Sequence, residues 1–188
     1  MRIGITGGIG SGKSTIVREL ARRGFIVYDC DSEAKRIIQA NQQVRQAIIA
    51  LLGEEAFIDG QYNTAYVAQR VFASPDLLAQ LNAIIHPAVK QDILRKQPDI
   101  IESALLYEAG LDSLCDTVVV VEAPEEIRLQ RTLARDYPND ISMDTINKVR
   151  ARMRAQHPYP DSHKKSLTVN NDGQTPISDL VESIITNS

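Results

Sequence analysis

Gly7-Gly8-Ile9-Gly10-Ser11-Gly12-Lys13-Ser14 lies between a short apolar run, Ile3-Gly4-Ile5, and a helical pattern that opens near Lys13. Strand, glycine-rich turn and helix in that order, with the spacing Gly, four residues, Gly-Lys-Ser, make a phosphate-binding loop. A backbone wrapped around an anion takes positive φ and leaves no room for Cβ, which is why the turn is glycine. Its N–H groups then point inward, and the helix N-terminus adds partial positive charge. Gly10, Ser11, Gly12, Lys13, Ser14 and Thr15 are the expected nucleotide contacts. Lys13 reaches the β- and γ-phosphates of ATP, and the Ser14 hydroxyl is a Mg2+ ligand. The nearest rival, the dinucleotide fingerprint begun by Gly8-x-Gly10, needs a third glycine where Lys13 stands.

The elements around the loop follow from periodicity. Residues 2–6 read as a buried strand. From Lys13 to Arg23 the pairs Ile16/Leu20 and Val17/Ala21 put one apolar face on a helix that Gly24 ends. Phe25-Ile26-Val27-Tyr28 reads as a second strand, buried on both faces. It leads to Asp29-Cys30-Asp31, carboxylates at a strand's carboxyl end, where open α/β sheets bind ligands. Ser32 to about Leu52 is helical, with Ile37, Ile38, Ile48, Ile49, Leu51 and Leu52 as core candidates. Residues 53–63 form a loop or turn. Val67, Val71 and Phe72 share one helix. Ser74-Pro75 caps the next, which His86-Pro87 stops, and a further helix runs to about Gln97. Ile100-Ile101 is a third strand ending in Glu102, Thr117 to Val121 a fourth, and Leu167 to Val169 the last. Helices follow at Glu125, from Met143 to Arg154, and from Ile177 to Ile185.

Alternating strands and helices of this kind give an α/β fold, a three-layer α/β/α arrangement around a parallel sheet. The chain reads as a single domain over 1–188. Its core is about 1–52, 98–135 and 166–188, with a helical acceptor-binding insertion at about 53–97 and a lid at about 136–165. The 188 residues, 43% of them hydrophobic, suffice for one such core. A net charge of −3 argues against a general nucleic-acid binder. Cys30 and Cys115 are far apart, without metal-type spacing, and suit a reducing compartment. With no apolar signal region after Met1-Arg2 and only short apolar runs, the expectation is a soluble cytoplasmic protein with no membrane contact and no implied protein partner.

Phosphoryl transfer needs positioning and charge neutralisation more than covalent help. Arg128, Arg131 and Arg135 sit at i, i+3 and i+7 of one helix. Arg131 and Arg135, with Arg154 as a third candidate, could close over the γ-phosphate; otherwise they are the solvated face of an amphipathic helix. Asp31 could accept the proton of an attacking hydroxyl, or could instead cap the helix that follows. Asp29 is the lesser candidate for the base and could simply hold loop backbone. Glu102 ends its strand where an acid can bind Mg2+ through water. His86 either compensates a helix dipole or binds substrate.

Beyond the loop, several stretches resemble the dephospho-CoA kinase family over nearly the whole chain. They are Ile5 to Thr15, Asp29-Cys30-Asp31 with Ala34-Lys35, Val71-Phe72-Ala73, Leu81 through His86-Pro87, Leu105-Leu106-Tyr107-Glu108, Arg131 with Arg135-Asp136, and the Asn171 to Gly173 turn. The resemblance implies phosphorylation of the ribose 3′-hydroxyl of dephospho-CoA by ATP with Mg2+, the last step of coenzyme A synthesis. It implies Asp31 as base and Lys35, His86, Leu105, Tyr107 and Glu108 on the acceptor side. Asn171 and Gly173 match a turn near the adenine. Cys30 replaces the family's usual alanine, and Glu102 and Ala104 its usual Asp and Pro. After Gln156, His157-Pro158-Tyr159-Pro160-Asp161 stands where a basic residue is usual, which leaves Arg154 and Lys164 as candidates for that role.

Two other readings share the loop. A nucleoside or nucleoside monophosphate kinase would differ in the pocket of the insertion. A regulatory GTPase wants Asp-x-x-Gly, which is absent, and Asn-Lys-x-Asp, where this chain has Asn147-Lys148-Val149-Arg150.

Overall fold

The computed structural model describes residues 1–156 and 166–188. The expectations for His157 to Asp161 and for Lys164 lie outside the described residues. The chain forms two compact units, one of residues 1–28 and 98–188, the other of 29–97. Residues 29–52, placed in the core by the sequence reading, thus group with the helical insertion.

The first unit is built on a five-stranded sheet of order β2-β5-β1-β6-β7. Its strands are β1 (Ile3–Gly7), β2 (Val27–Asp29), β5 (Ile100–Glu102), β6 (Thr117–Glu122) and β7 (Ser166–Asn170). Strand β1 pairs in parallel with β5 and β6, and β6 with β7. The register sets Ile5 beside Val119 and Gly7 beside Val121. Alternate residues therefore share a face, and Ile3, Ile5, Val119 and Val121 all turn into one core with helices α1 (Lys13–Arg22) and α8 (Ile177–Asn187). Ile16, Leu20, Val181 and Ile184 fill that core, with at most 1% exposure each. Each such side chain contributes about 1.5–3 kcal/mol. Helix α1 ends as expected. Gly24, at φ 95°, donates to Ala21 O and Phe25 donates to Leu20 O, the two bonds of a Schellman cap.

The opposite face of the sheet is packed just as closely. A Cβ on Gly4 would come within 2.8 Å of both the Cys115 Sγ and the Leu106 side chain. Helices α6 (Glu125–Asp136) and α7 (Met143–Arg154) pack on each other through Leu129, Val149 and Met153. The expectation of a second strand buried on both faces is not met. Strand β2 is the sheet's edge, and Ile26, just before it, is 60% exposed.

The second unit holds α2 (Cys30–Ala40), α3 (Gln42–Leu52), the hairpin β3 (Phe57–Ile58) and β4 (Gln61–Tyr62), α4 (Thr64–Phe72) and α5 (Pro75–Lys96). The single helix expected from Ser32 to Leu52 is broken at Asn41, in extended geometry. Its side chain accepts from the N–H groups of Gln43 and Val44 and so caps α3. The hairpin turns on Asp59-Gly60, both at positive φ, as a two-residue turn of the primed kind requires. Ser74 caps α5 with Pro75 in its first turn, as expected. His86-Pro87 does not stop that helix. It runs on to Lys96, because an interior proline loses one hydrogen bond at a cost of about 3 kcal/mol, and Leu81, Val89 and Ile93 bury the helix on both sides of it. The stop is Gln97, at φ 51° ahead of Pro98. Val67, Val71 and Phe72 share α4 as expected, with Phe72 94% exposed at its end.

Helices α2 and α5 are joined by charge. The Asp92 carboxylate, with a side chain 6% exposed, accepts from Arg36 at 2.7 Å and from Arg95 at 2.5 Å, and Lys96 lies 3.4 Å away. Glu33 takes Lys96 at 2.7 Å and Arg36 at 2.5 Å. Removing the Asp92 carboxylate leaves cations that can turn to water, so Asp92→Ala should cost about 1–3 kcal/mol in urea unfolding. The hydrogen bonds from Lys96 and Arg36 hold the Glu33 carboxyl below its ordinary range. A lowered folded pKa contributes stability that is present above the unfolded value and lost as pH falls through the folded one. The urea midpoint should therefore drop on acidification below about pH 4.3, and Glu33→Gln should make that drop shallower.

Candidate active site

A loop that turns its N–H groups inward must turn carbonyls outward, and each buried carbonyl needs a donor. Every such partner lies in the first unit. Lys13 Nζ donates to Gly7 O at 2.7 Å and to Gly8 O at 3.5 Å, and Ser11 N donates to Gly8 O. Ile9 O accepts from Arg128 Nε at 2.8 Å. Ser11 O accepts from Arg131 at 3.3 Å and from Asn171 Nδ2 at 2.9 Å. Helix α1 begins without a side-chain cap or an acid in its first turn; its N-cap is Gly12 in the left-handed region. That is an N-terminus left to an anion.

Two glycines are fixed by close approach as well as by φ. Gly10, at φ 75°, has the Arg128 carbonyl and the Thr132 hydroxyl where a Cβ would stand, and Gly12, at φ 90°, has Asn171 Nδ2 there. The Ser11 hydroxyl is 1% exposed and has no hydrogen-bond partner among the described residues.

In front of the loop lies a cleft of about 620 Å³. Lys13, Arg18, Arg131 and Arg135 line it together with Ser14 and Thr15, and no carboxylate is among the lining residues. Asn171 and Gly173 form its far wall. Such a field favours a polyanion. Arg131 also donates to the carbonyl and side-chain oxygens of Asn171, at 3.1 and 3.3 Å. Asp172 Oδ1 accepts from Gln174 N and Thr175 N and so closes the turn that carries Gly173. Arg135 is held by its neighbour Asp136 at 2.6 and 3.0 Å, a pair that raises the guanidinium's pKa and lowers the carboxyl's. Of the expected nucleotide contacts, Gly10, Gly12, Lys13, Ser14, Thr15, Asn171 and Gly173 line this cleft. Ser11 faces a second cavity behind the loop. Arg154 is exposed in the last turn of α7.

The two expected metal ligands meet. Ser14 Oγ donates to Glu102 Oε1 at 3.2 Å, close to the edge of about 2.9 Å that a Mg2+ octahedron with bonds of about 2.0–2.1 Å presents. Among the described residues no group of three or more His, Cys, Asp or Glu could hold a metal. Two protein oxygens beside a phosphate site are what Mg2+ uses, with water and phosphate completing its shell.

Of the residues expected near the acceptor, Asp29 caps α2, accepting from Asp31 N, Ser32 N and Ser32 Oγ. The capping duty considered for Asp31 thus belongs to Asp29. Asp31 is exposed, one helical turn from exposed Lys35 on the same face. His86 is half-buried on α5, and desolvation lowers its pKa, which favours the neutral ring. After β5 the Leu105 N–H is tied to Ser103 Oγ, Leu105 is 50% exposed, and Leu106 is fully buried beneath it. Tyr107 is half-buried and Glu108 exposed. Arg128 and Gln156 were given no role from sequence. The signal for them was the loop's own need for donors to its outward carbonyls.

A family model described as dephospho-CoA kinase matches residues 1–176. The chain belongs to the dephospho-CoA kinase family. It is 47% identical over 140 residues to a dephospho-CoA kinase of Porphyromonas gingivalis, an alignment that covers 71% of this chain and 69% of the relative. A dephospho-CoA kinase of Bacteroides fragilis is 36% identical over 184 residues, 94% and 87% of the two chains. A crystal structure of a Thermus thermophilus protein superposes with TM-score 0.77 at 29% identity, covering 99% of this chain and 94% of the other. Family membership makes this an enzyme, a phosphotransferase that takes ATP as donor. No helix among the described residues is long and apolar enough to cross a membrane.

Gly10→Ala should weaken ATP binding at least about tenfold in calorimetry, since its methyl group would fall on the Arg128 carbonyl and the Thr132 hydroxyl at a backbone φ that disfavours a side chain. Unchanged affinity would mean that the loop does not hold the conformation described.

Proposed function

We propose that the chain transfers the γ-phosphoryl group of ATP to the ribose 3′-hydroxyl of dephospho-CoA, giving coenzyme A and ADP, and that the side chains above divide the work. The observation that carries the reading is the cationic cleft over a glycine loop whose Gly7, Gly8, Ile9 and Ser11 carbonyls are already taken by protein donors, in a chain of this family. Lys13 and Arg135 are the proposed catalytic cations. They neutralise charge on the transferring group, which is worth more in a cleft than in water. Arg131, also a candidate catalytic cation, is proposed with Asn171, to which it is bonded, to hold the nucleotide beside Gly173.

Asp31 is the proposed base. The acceptor oxygen attacks the γ-phosphorus, its proton passes to the Asp31 carboxylate, and the bond from γ-phosphorus to the bridging oxygen breaks with its electron pair leaving on ADP. Asp31 suits the task because it is exposed and Asp29 has the capping role. Lys35 and neutral His86 are proposed to bind the acceptor, with Leu105, Tyr107 and Glu108. Ser14 and Glu102 would hold Mg2+, which would supply positive charge against the phosphates. A cytoplasmic setting and a small-molecule substrate, with no nucleic-acid, membrane or protein partner, complete the reading.

A nucleoside or nucleoside monophosphate kinase is the alternative. ATP consumption should be driven by dephospho-CoA far better than by AMP, UMP or adenosine, and a faster rate with one of those would select the alternative. Lys13→Ala should abolish turnover in a chain that still folds, its melting temperature lowered by only a few degrees for the lost bond to Gly7 O. Asp31→Asn should lower kcat by roughly 10² with little change in the KM for ATP; an effect on KM alone would make Asp31 a binding residue.

A further inference from the structure

The peptide of Ile9 is gripped at both ends by groups that no nucleotide contact explains. Its carbonyl accepts from Arg128 Nε at 2.8 Å. Its N–H donates to Gln156 Oε1 at 2.8 Å. The triangle closes because Arg128 Nη2 donates to the same Gln156 oxygen at 3.2 Å. Arg128 lies on α6 and Gln156 just beyond the end of α7, so both helices converge on one peptide of the loop. Neither residue lines the cationic cleft; both line a second cavity of about 730 Å³, which shares Gly8 with the cleft. The glycines agree with this placement. A Cβ on Gly8 would lie 2.6 Å from Arg128 Nη2 and 3.1 Å from Gln156 Oε1, while Gly10 backs onto the Arg128 carbonyl. The loop is moulded against this pair from behind.

We infer that Arg128 and Gln156 are positioning residues that set the loop's ATP-binding shape through the Ile9 peptide, acting as one unit and without touching the nucleotide. The inference rests on ATP binding in the cleft but not on the identity of the acceptor. Ile9 is the loop residue before Gly10, where the chain turns into the left-handed region. With both Ile9 groups pinned, the N–H groups that follow arrive already aimed at the phosphates. Without the pair, ordering them falls on the ligand, so the loss appears in affinity. Gln156 serves only as an acceptor in this triangle. A glutamate can accept the same two bonds, whereas alanine can accept neither.

The test is ATP affinity by calorimetry, with no acceptor present, on Arg128→Ala, Gln156→Ala and their combination, alongside Gln156→Glu and Arg128→Lys. Each alanine should weaken ATP binding about tenfold while kcat at saturating ATP falls less than threefold. The double variant should lose well under the hundredfold product, because the second substitution removes a bond already broken. Gln156→Glu should stay within about threefold of the parent chain. Unchanged affinity in the alanine variants, a multiplicative double loss, or a Gln156→Glu loss equal to that of alanine would each overturn the inference. Should an alanine variant fail to fold, Arg128→Lys decides. Lysine has a single nitrogen for the two acceptors that Arg128 Nε and Nη2 serve separately, so its affinity should fall while that of Gln156→Glu is kept. Failure here leaves the acceptor panel unaffected, since that panel reads turnover by the parent chain.

Discussion

The structure depends on finding donors for the carbonyls of one loop. A backbone that offers successive N–H groups to an anion exposes its carbonyls on the other side, where helix α6 and the turn after β7 meet them. An unmet carbonyl there costs about 1–3 kcal/mol, enough to make alternative loop shapes competitive. The chain answers with guanidinium and amide groups from distant elements, Arg128 and Arg131 on α6 and Asn171 after β7. Lys13 Nζ and Ser11 N supply donors from within the loop. The cleft is therefore shaped by its rear wall as much as by its front.

That rear wall explains why the sheet order matters. Strand β1 lies between β5 and β6, with Gly7 registered against Val121. The loop consequently emerges beside the start of α6 and beside the turn after β7. The same order sets Glu102, at the end of β5, within reach of Ser14. One arrangement of strands thus supplies both the groups that fix the loop and the acid that pairs with its serine.

Much of this was legible in the residues. The loop's spacing, the i, i+4 pairs of α1 and the β-branched run of β6 each specify one local structure and agree with the final fold. Four features were not legible, each for a physical reason. Asn41 breaks a continuous apolar periodicity because a cap needs only one side-chain oxygen. Pro87 fails to end α5 because burial of Leu81, Val89 and Ile93 outweighs a single lost bond. Ile26 and Phe72 are apolar yet exposed, because apolar character records what a residue tolerates and not what covers it. In the site, the arginines of α6 were identified as a group. Their division of labour depends on distances across more than a hundred residues of chain, as between Ile9 and Arg128.

Helix α5 has a consequence of its own. At 22 residues it is about 33 Å long, a strut that reaches across its unit. Pro87 brings no N–H to the carbonyl of Ala83, and Ala83 faces solvent, so water can take that lone pair. Stiffness is lowest at that turn, one residue from His86, whereas the stretch bearing Asp92 is anchored to Arg36. Thermal flexing of the rod should therefore gather at its wet joint, tilting the imidazole while the clamped end stays still.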